Sequence, residues 1–378
     1  MRDGSKGATA ALFGAAPHIA VDRALAELRA GRPVVLEASG GDILALPVEG
    51  LDDGRLAGFQ ALCAPGQARL LISARRARAL GLAASTARTI SVPADMSADA
   101  VLALAAGRHA GAPAGVEPAS PSAEAAIALL KLSHGLPAAL IAAFDTAANV
   151  DSAGIIHVPA DAVTAYQRFL VDSLAIASEA RVPLTGSGDS RFVIFRDGAG
   201  GNAVAVVVGE PDLSQPVAVR LHSACLTGDV FGSRRCDCGD QLRLALDQLE
   251  ADGGVILYLP QEGRSLGIVN KMRAYSLQDA GLDTIDANTQ LGFDEDERDY
   301  GAGARMLQLL GIRRVWLMTN NPEKLAGIAE AGIEVVGRMP LETPAHADNH
   351  RYLATKATRA GHQLDHFVAS LAEATEAE

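Results

Sequence analysis

The chain has 378 residues and a formal net charge of −12, and this length accommodates two ordinary domains. The acidic balance argues against nucleic-acid binding of the sequence-independent kind, which needs a basic surface to release counterions from phosphates. No apolar run approaches the roughly 20 residues that cross a bilayer, and no apolar block at the N-terminus is long enough for a secretory signal. We therefore expect a cytoplasmic protein that does not act at a membrane.

The chain order predicts two folded domains between two tails. Residues 17–184 alternate Ala- and Leu-rich helical patterns with short apolar runs, which is typical of an α/β domain. The polar stretch 185–190 interrupts this pattern and precedes two strands joined by a Gly-rich turn, so we place the domain boundary there. In the second domain, residues 185–365, strands and helices alternate, which predicts a largely parallel or mixed sheet. Residues 1–16 and 366–378 are predicted to be tails.

Three of the four cysteines lie in one Gly-rich, polar segment with the spacing C-x10-C-x-C, at Cys225, Cys236 and Cys238. Three thiols suit zinc, and three protein ligands leave one position for water, as in catalytic zinc sites. The alternative is that these are buried cysteines that act as small apolar residues. His222 is a candidate fourth ligand or a hydrogen-bonding neighbour of the site. We expect Cys63, in the first domain, to be a buried small residue.

Two further motifs suit a nucleotide. In TNNPEK, Asn321 is a predicted N-cap and Pro322 the first helical residue. Free N–H groups and the helix dipole at this end favour the binding of an anion. The alternative is a capped helix that binds nothing, because it has the same sequence pattern. The loop QEGR follows a buried strand, where α/β proteins place ligand-binding residues. Its Glu262 can accept hydrogen bonds from a guanine, and Arg264 can bind phosphate or base; a solvated ion pair is the alternative.

Four blocks carry a resemblance to a known family, in the order RLHSACLTGDVFGSRRCDCGDQL, LYLPQEGRSLGIVNKMRAYSLQD, DERDYGAGARMLQLLG and LMTNNPEK. Together they resemble the signature blocks of GTP cyclohydrolase II, over roughly residues 190–362. The resemblance implies a zinc-dependent hydrolase that opens the imidazole ring of GTP and releases formate from C8 and pyrophosphate. Its product would be 2,5-diamino-6-ribosylamino-4(3H)-pyrimidinone 5′-phosphate, an intermediate of riboflavin biosynthesis. The family also implies a homodimer.

The resemblance assigns roles by position. It implies that Cys225, Cys236 and Cys238 bind zinc, and that Asp296, Arg298 and Tyr275 are catalytic. The positions that match GTP contacts are Arg220, Leu221, His222, Ser223, Ala224, Gln241, Glu262, Gly263, Arg264, Thr284, Thr319 and Lys324.

The family assigns Asp296 as proton acceptor and Arg298 as nucleophile toward the α-phosphorus. A protonated guanidinium is a poor nucleophile, so stabilisation of charge at the α-phosphate by Arg298, oriented by Asp296, is the alternative. Release of pyrophosphate implies Mg²⁺ with the triphosphate. An acidic chain must gather cations locally around such a substrate. The candidate cations are Arg264, Lys271, Arg273, Arg298 and Lys324.

The chain departs from the family pattern at four positions in the active-site loops. Ala224 replaces a usual Glu, Arg234 an apolar residue and Pro260 a basic residue, while Ser265 stands where Gly or Asn is common. These changes leave open a diverged protein that binds nucleotide without turnover, or that stops at a formylated intermediate.

The segment ALAELRAGRPVVLEASGGDILALP resembles the start of 3,4-dihydroxy-2-butanone 4-phosphate synthase, to which this cyclohydrolase is often fused. That synthase uses an acidic loop and a Gly-His-Thr-Glu element to bind Mg²⁺ and move protons. Here residues 37–42 read EASGGD, and no such element precedes AEAAIALLKLSHGLPAALIAAF. We therefore predict a catalytically silent α/β scaffold that dimerises or supports the zinc domain.

Overall fold

The structure is a computed structural model that describes residues 14–64, 66–108, 113–144, 154–185, 188–344, 348–359, 361–364 and 367. Its contacts divide the chain into two compact units, so the prediction of two domains is confirmed. The first unit comprises Met1–Phe169, Val269–Leu282 and Asp286–Glu297. The second comprises Leu170–Ile268, Asp283–Ile285 and Arg298–Glu378. No helix in the described ranges is long and apolar enough to cross a bilayer.

The first unit is built on one sheet with helices packed against it. Its elements are α1 (Ala16–Arg29), β1 (Val34–Glu37), β2 (Ile43–Pro47), α2 (Asp53–Leu62), β3 (Arg69–Ile72), α3 (Ala74–Ala79), β4 (Arg88–Ser91), α4 (Ala98–Ala106), β5 (Val116–Pro118), α5 (Pro121–Leu132), β6 (Ala138–Ala143), β7 (Ile156–Pro159) and α6 (Ala160–Asp172). The helices α8 (Ile268–Asp279) and α9 (Thr284–Gln290) come from later in the chain and mostly belong to this unit.

The seven strands of this sheet lie in the order β5-β4-β3-β6-β2-β1-β7. The β1–β7 pair is parallel and the other pairs are antiparallel, so the sheet is mixed. Serine side chains begin several helices: Ser73, Ser97 and Ser120 each accept a hydrogen bond from a first-turn N–H. Cys63 is half-buried rather than fully buried, because it ends α2 near the surface, where its thiol donates to the carbonyl oxygen of Phe59.

The second unit contains the other sheet. Its elements are β8 (Ala175–Arg181), β9 (Ser190–Arg196), β10 (Asn202–Val208), β11 (Val217–Ser223), a π-helical turn (Leu226–Val230), α7 (Cys238–Asp252), β12 (Gly254–Leu259), α10 (Gly301–Leu309), β13 (Arg314–Met318), α11 (Pro322–Glu330), β14 (Glu334–Met339) and α12 (His350–Thr358).

This sheet has the order β14-β13-β11-β12-β10-β9-β8. The four strands from β14 to β12 are parallel, and β10, β9 and β8 continue antiparallel, which confirms the predicted mixed sheet. One apolar core surrounds Val219, Leu257 and Leu317, and a second packs around Ala245 and Leu249 of α7. Both faces of the parallel strands are therefore covered by apolar side chains.

The strand β8 was not predicted, and it pairs with β9 although it precedes the predicted boundary at 185. Its sequence, AIASEAR, has no regular alternation of apolar and polar residues to indicate a strand, and all seven of its residues are exposed.

The parallel strands place their carboxyl ends at one edge of the second sheet. β11 ends at Ser223, β12 at Leu259 and β13 at Met318, and β11 pairs in parallel with both neighbours. The helix α7 begins at Cys238, in the segment that follows β11. Loops at the carboxyl edge of parallel strands are where α/β proteins bind ligands.

Candidate metal centre and phosphate site

Three thiols converge just beyond the end of β11. The sulfur atoms of Cys225, Cys236 and Cys238 lie within 4.8 Å of one another, and those of Cys225 and Cys236 are 3.7 Å apart. A tetrahedral site with metal–sulfur bonds of about 2.3 Å separates its sulfurs by about 3.8 Å. In the described part of the chain, this is the one group of three or more His, Cys, Asp or Glu side chains close enough to share a metal ion. The predicted convergence is confirmed.

A close turn makes room for the three sulfurs. The π-helical turn after Cys225 brings Gly228 against them, and the Gly228 N–H donates to the Cys225 sulfur at 3.3 Å. A Cβ atom at Gly228 would lie 3.0 Å from the sulfurs of both Cys225 and Cys236. Gly239 permits an even closer approach, because a Cβ atom there would lie 2.3 Å from the Gly228 carbonyl oxygen. The two glycines thus allow two backbone segments to meet around the thiols.

The protonation of these groups fits a cation site. The neighbouring Cys225 thiol raises the pKa of both Cys236 and Cys238, and burial adds to the increase. Thiolates are the form that binds a metal, so three of them can gather here only around a positive charge. Cys238 begins helix α7, whose N-terminal dipole acts in the opposite direction and favours the thiolate. Three soft ligands on a buried scaffold therefore match zinc.

A buried carboxylate supports the first thiol. Asp229 accepts hydrogen bonds from the Cys225 N–H and from the Tyr258 hydroxyl, both at 2.9 Å, and its two oxygens lie 3.1 Å from His222 Nε2. A carboxylate only accepts, so His222 carries its proton on Nε2. Burial lowers the pKa of His222. The structure thus places His222 beside the three-thiol cluster and outside it.

A series of hydrogen-bonded polar side chains lies on the buried side of the site. Arg220 donates to the carbonyl oxygen of Met318 at 2.9 Å and to Gln241 at 2.5 Å, and Gln241 donates to Asp237 at 2.6 Å. Lys356 of α12 donates to the other oxygen of Asp237 at 2.7 Å. Burial lowers the pKa of Arg220 to about 10, which still leaves it protonated at neutral pH. Among the described residues, Arg220 Nε is buried and has no hydrogen-bond acceptor.

The TNNPEK motif forms the predicted capped helix. Asn321 is the N-cap of α11, its side-chain oxygen accepting from the N–H two residues on at 2.9 Å, and Pro322 is the first helical residue. Thr319 is buried and accepts from the Asn321 N–H at 3.0 Å. Lys324 is buried as well, and its ammonium donates to the carbonyl oxygen of Leu221 at 2.8 Å. The helix N-terminus and a buried cation therefore lie together at the sheet edge.

The loop after β12 has a left-handed backbone at three consecutive residues. Gly263, Arg264 and Ser265 have φ values of 62°, 61° and 71°. For the last two this conformation is strained, and such strain is common at functional sites. Glu262 accepts a hydrogen bond from the Leu226 N–H at 2.7 Å, so it also ties this loop to the segment after the first thiol.

Positive charge accumulates around His362, which follows α12. Burial, together with the cations Lys356, Arg264, Arg298 and Lys324, lowers the pKa of His362 to about 2. His362 is therefore neutral near pH 7, and four cations remain near it in a chain whose net charge is −12. Local charge of this kind attracts phosphate even when the whole protein is acidic.

Comparison with known proteins decides the family. A family model described as GTP cyclohydrolase II matches residues 175–340. GTP cyclohydrolase-2 of Azospirillum brasilense is 42% identical over 367 residues, which cover 91% of this chain and 94% of that protein. The chain belongs to the GTP cyclohydrolase II family. The likeness to the Azospirillum protein extends through the N-terminal half as well.

Two other matches are more limited. The riboflavin biosynthesis protein RibBA of Bacillus cytotoxicus is 53% identical over 163 residues, which cover 43% of this chain and 41% of that protein. The crystal structure of RibBX, a two-domain 3,4-dihydroxy-2-butanone 4-phosphate synthase from A. baumannii, aligns with 84% of this chain and 99% of that one. That alignment has a TM-score of 0.33 and 16% identity, values too low to support an inference.

All residues that the sequence assigned to the cyclohydrolase site lie within the family match. The second unit contains the three cysteines, the GTP-contact positions and Arg298. Tyr275, on α8, and Asp296, in the loop after α9, belong by their contacts to the first unit, as do Lys271 and Arg273. The Lys271 ammonium lies 5.7 Å from the centre of the Tyr275 ring. The roles of these residues stay predictions.

The four departures from the family pattern have different surroundings. Ala224 is half-buried, and its N–H donates to the carbonyl oxygen of Leu259 at 2.8 Å. Arg234 is exposed and forms an ion pair with Asp348 at 2.7 Å, and Pro260 is exposed. Ser265 occupies a left-handed position, which explains why Gly or Asn suits it better. None of the four displaces a thiol.

Several functional-site residues could not be found from the sequence. Asp229, Tyr258, Asp237 and Lys356 gain their roles only from tertiary contacts. Asp229, Asp237 and Tyr258 lie within the resembling blocks, which was their signal in the sequence, whereas Lys356 lies outside those blocks. His362 lies at the end of the resembling region and carries no motif of its own.

Proposed function

We propose that the protein hydrolyses GTP, opening the imidazole ring, releasing formate from C8 and pyrophosphate, and forming 2,5-diamino-6-ribosylamino-4(3H)-pyrimidinone 5′-phosphate for riboflavin biosynthesis. The observation that carries the proposal is the three-thiol cluster at the carboxyl edge of the second sheet. Family membership supports the reaction, and the buried cations beside the cluster support a phosphorylated substrate.

Cys225, Cys236 and Cys238 would hold zinc in this proposal. A zinc ion with three protein ligands supplies a Lewis acid and activates water at neutral pH. The protein keeps the thiols in place through Asp229, which fixes the Cys225 backbone, and through the close turn at Gly228. We expect the purine C8 to lie next to this centre.

The cations of the second unit would bind the triphosphate. Arg264, Arg298 and Lys324 suit phosphate oxygens, and Arg220 has a free Nε position among the described contacts. Thr319 and the N-terminus of α11 offer further donors. Mg²⁺ would accompany the triphosphate and offset its charge.

Guanine recognition and α-phosphate chemistry complete the proposal. Glu262 would accept hydrogen bonds from the base while keeping its bond to the Leu226 N–H. Asp296 and Arg298 would act at the α-phosphate, where the guanidinium stabilises developing negative charge. The protein is further proposed to be a cytoplasmic homodimer whose N-terminal half has no synthase activity.

The test is to incubate purified, zinc-loaded protein with GTP and Mg²⁺ and to measure formate, pyrophosphate and product mass. We expect both small products and the deformylated pyrimidine. Cys236→Ser should abolish formate release, whereas the matched control Cys63→Ser, outside the cluster, should retain it. Absence of both products from the parent protein would reject catalysis in favour of nucleotide binding, and a formylated product would show that the reaction stops early.

A further inference from the structure

Two stretches of the family-matched region pack with N-terminal residues. Val269–Leu282 and Asp286–Glu297 lie inside the range 175–340, yet their contacts assign them to the first unit. Asn270, for example, is fully buried and donates to the carbonyl oxygen of His134 at 2.9 Å. The N-terminal half therefore has a physical connection to the segment that leads to Asp296.

The backbone before Asp296 is held by two residues of the first unit. Arg76 is fully buried, and its guanidinium donates to the carbonyl oxygen of Gln290 at 2.9 Å as well as to three carbonyl oxygens between residues 103 and 107. Ser73 donates to the carbonyl oxygen of Gly292 at 2.5 Å. One charge-assisted hydrogen bond from Arg76 and one hydroxyl bond from Ser73 hold the end of α9 and the turn after it, while the other three Arg76 bonds fix the guanidinium against residues 103–107.

The next four residues, 294–297, are all acidic and form what we call the acidic loop. Lys131 donates to Asp294 at 2.8 Å and lies 2.6 Å from Glu297, and Arg75 donates to Asp294 at 2.7 Å. Burial lowers the pKa of Lys131, but the carboxylates of Glu297 and Asp294 outweigh this effect and raise it above its ordinary value. Two cations of the first unit therefore bind the loop at both of its ends.

These contacts matter because the loop concentrates negative charge. Four consecutive carboxylates repel one another and repel a triphosphate. Arg75 and Lys131 offset part of this charge through ion pairs with Asp294 and Glu297. Asp296 lies inside the loop, and Arg298 is the first residue after it that belongs to the second unit.

We propose that Arg75 and Lys131 are positioning residues for the cyclohydrolase reaction, which hold the acidic loop and so fix the position of Asp296 within it. This inference rests on the proposed function. In this proposal the N-terminal half, although predicted to be catalytically silent, contributes to the reaction by anchoring the loop that contains Asp296. Displacement of a reacting group by about 1 Å can lower a rate by about 100-fold, so loss of an anchor should act mainly on kcat.

The test uses a charge reversal and its compensation. Lys131→Glu should lower kcat for formate and pyrophosphate release at least about tenfold, with KM changed less than about threefold. Lys131→Glu combined with Glu297→Lys restores an opposite-charge pair and should recover most of kcat, and Lys131→Arg should stay close to the parent. Hydrogen exchange should be faster in peptides covering the acidic loop of the single variant and return toward the parent rate in the double variant.

Arg32→Gln is the matched control, because it removes an ion pair with Glu27 in the same unit but far along the chain from the loop contacts. It should leave kcat unchanged. Zinc content and melting temperature, measured for every variant, report folding. Parent-like kcat in Lys131→Glu, or a double variant no better than the single one, would overturn the inference. A parent protein that releases neither formate nor pyrophosphate would instead overturn the proposed function itself.

Discussion

Gly228→Ala tests whether the turn after Cys225 closes around a metal. The substitution keeps every thiol, yet the new methyl carbon would lie 3.0 Å from the sulfurs of Cys225 and Cys236 and 3.1 Å from Cys238 Cβ. These neighbours would have to move by a few tenths of an ångström. Metal sites tolerate deviations of only about 0.2 Å in ligand distance, so a shift of this size should weaken the coordination.

The size of the effect follows from that geometry. Disturbing groups next to metal ligands typically lowers affinity about 10–100-fold, which corresponds to about 1.4–2.7 kcal/mol in binding free energy. We expect Gly228→Ala to lose zinc affinity in this range, with formate release falling in proportion to the bound metal. The assay is competition for zinc against a chromogenic chelator, followed by formate measurement at saturating and limiting zinc.

Gly58→Ala is the matched control. Gly58 lies within α2, and a Cβ atom there would meet nothing within 4 Å. The zinc affinity of the Gly58→Ala variant should equal that of the parent. The free energy of unfolding of this variant should rise, because Ala is favoured over Gly in a helix by about 1 kcal/mol. If Gly228→Ala bound zinc as tightly as the parent, the close packing of Gly228 against the three thiols would not matter for metal binding.

Three further predictions concern stability. Lys356→Met leaves the Asp237 carboxylate buried without its cation and should lower the free energy of unfolding by about 3–5 kcal/mol. Adding Asp237→Asn to this variant should restore most of the lost stability. Denaturant unfolding in excess zinc measures the stability of both variants. Ser265→Gly relieves a left-handed φ of 71° and should raise the free energy of unfolding by about 1 kcal/mol in the same assay; a decrease would contradict the loop conformation. The pKa of His362 falls from 6.5 to about 2 on folding, so below pH 6.5 the unfolded state binds the extra proton and stability should fall by about 1.4 kcal/mol per pH unit. Stability curves of His362→Gln should be flatter over that range, and parallel curves for parent and variant would refute this contribution.

The local signals in the sequence predicted much of the second unit. The β9–β10 hairpin, the helix after the cysteines and the Asn321 cap all appear where they were expected. The three thiols also converge as their spacing indicated. These features depend on residues close together in the chain, where periodicity, turn residues and ligand spacing act directly.

Other parts of the site depend on residues far apart in sequence. Lys356 meets Asp237 across 119 positions, and Lys131 meets Asp294 across 163. A lone lysine or aspartate has the same local pattern whether it is solvated or paired, so its partner cannot be read from its neighbours. The assignment of 269–282 and 286–297 to the first unit is likewise a matter of which surface they pack on.

The sequence by itself therefore determined the ligand types, the capped helix and the alternation of elements, because each is encoded within a few turns of chain. Tertiary structure alone decided which carboxylate fixes Cys225, which cations surround His362 and which half of the protein holds the acidic loop. The physical reason is that burial and electrostatic pairing arise only when distant segments pack, and these two effects set the charge and position of each side chain in the site.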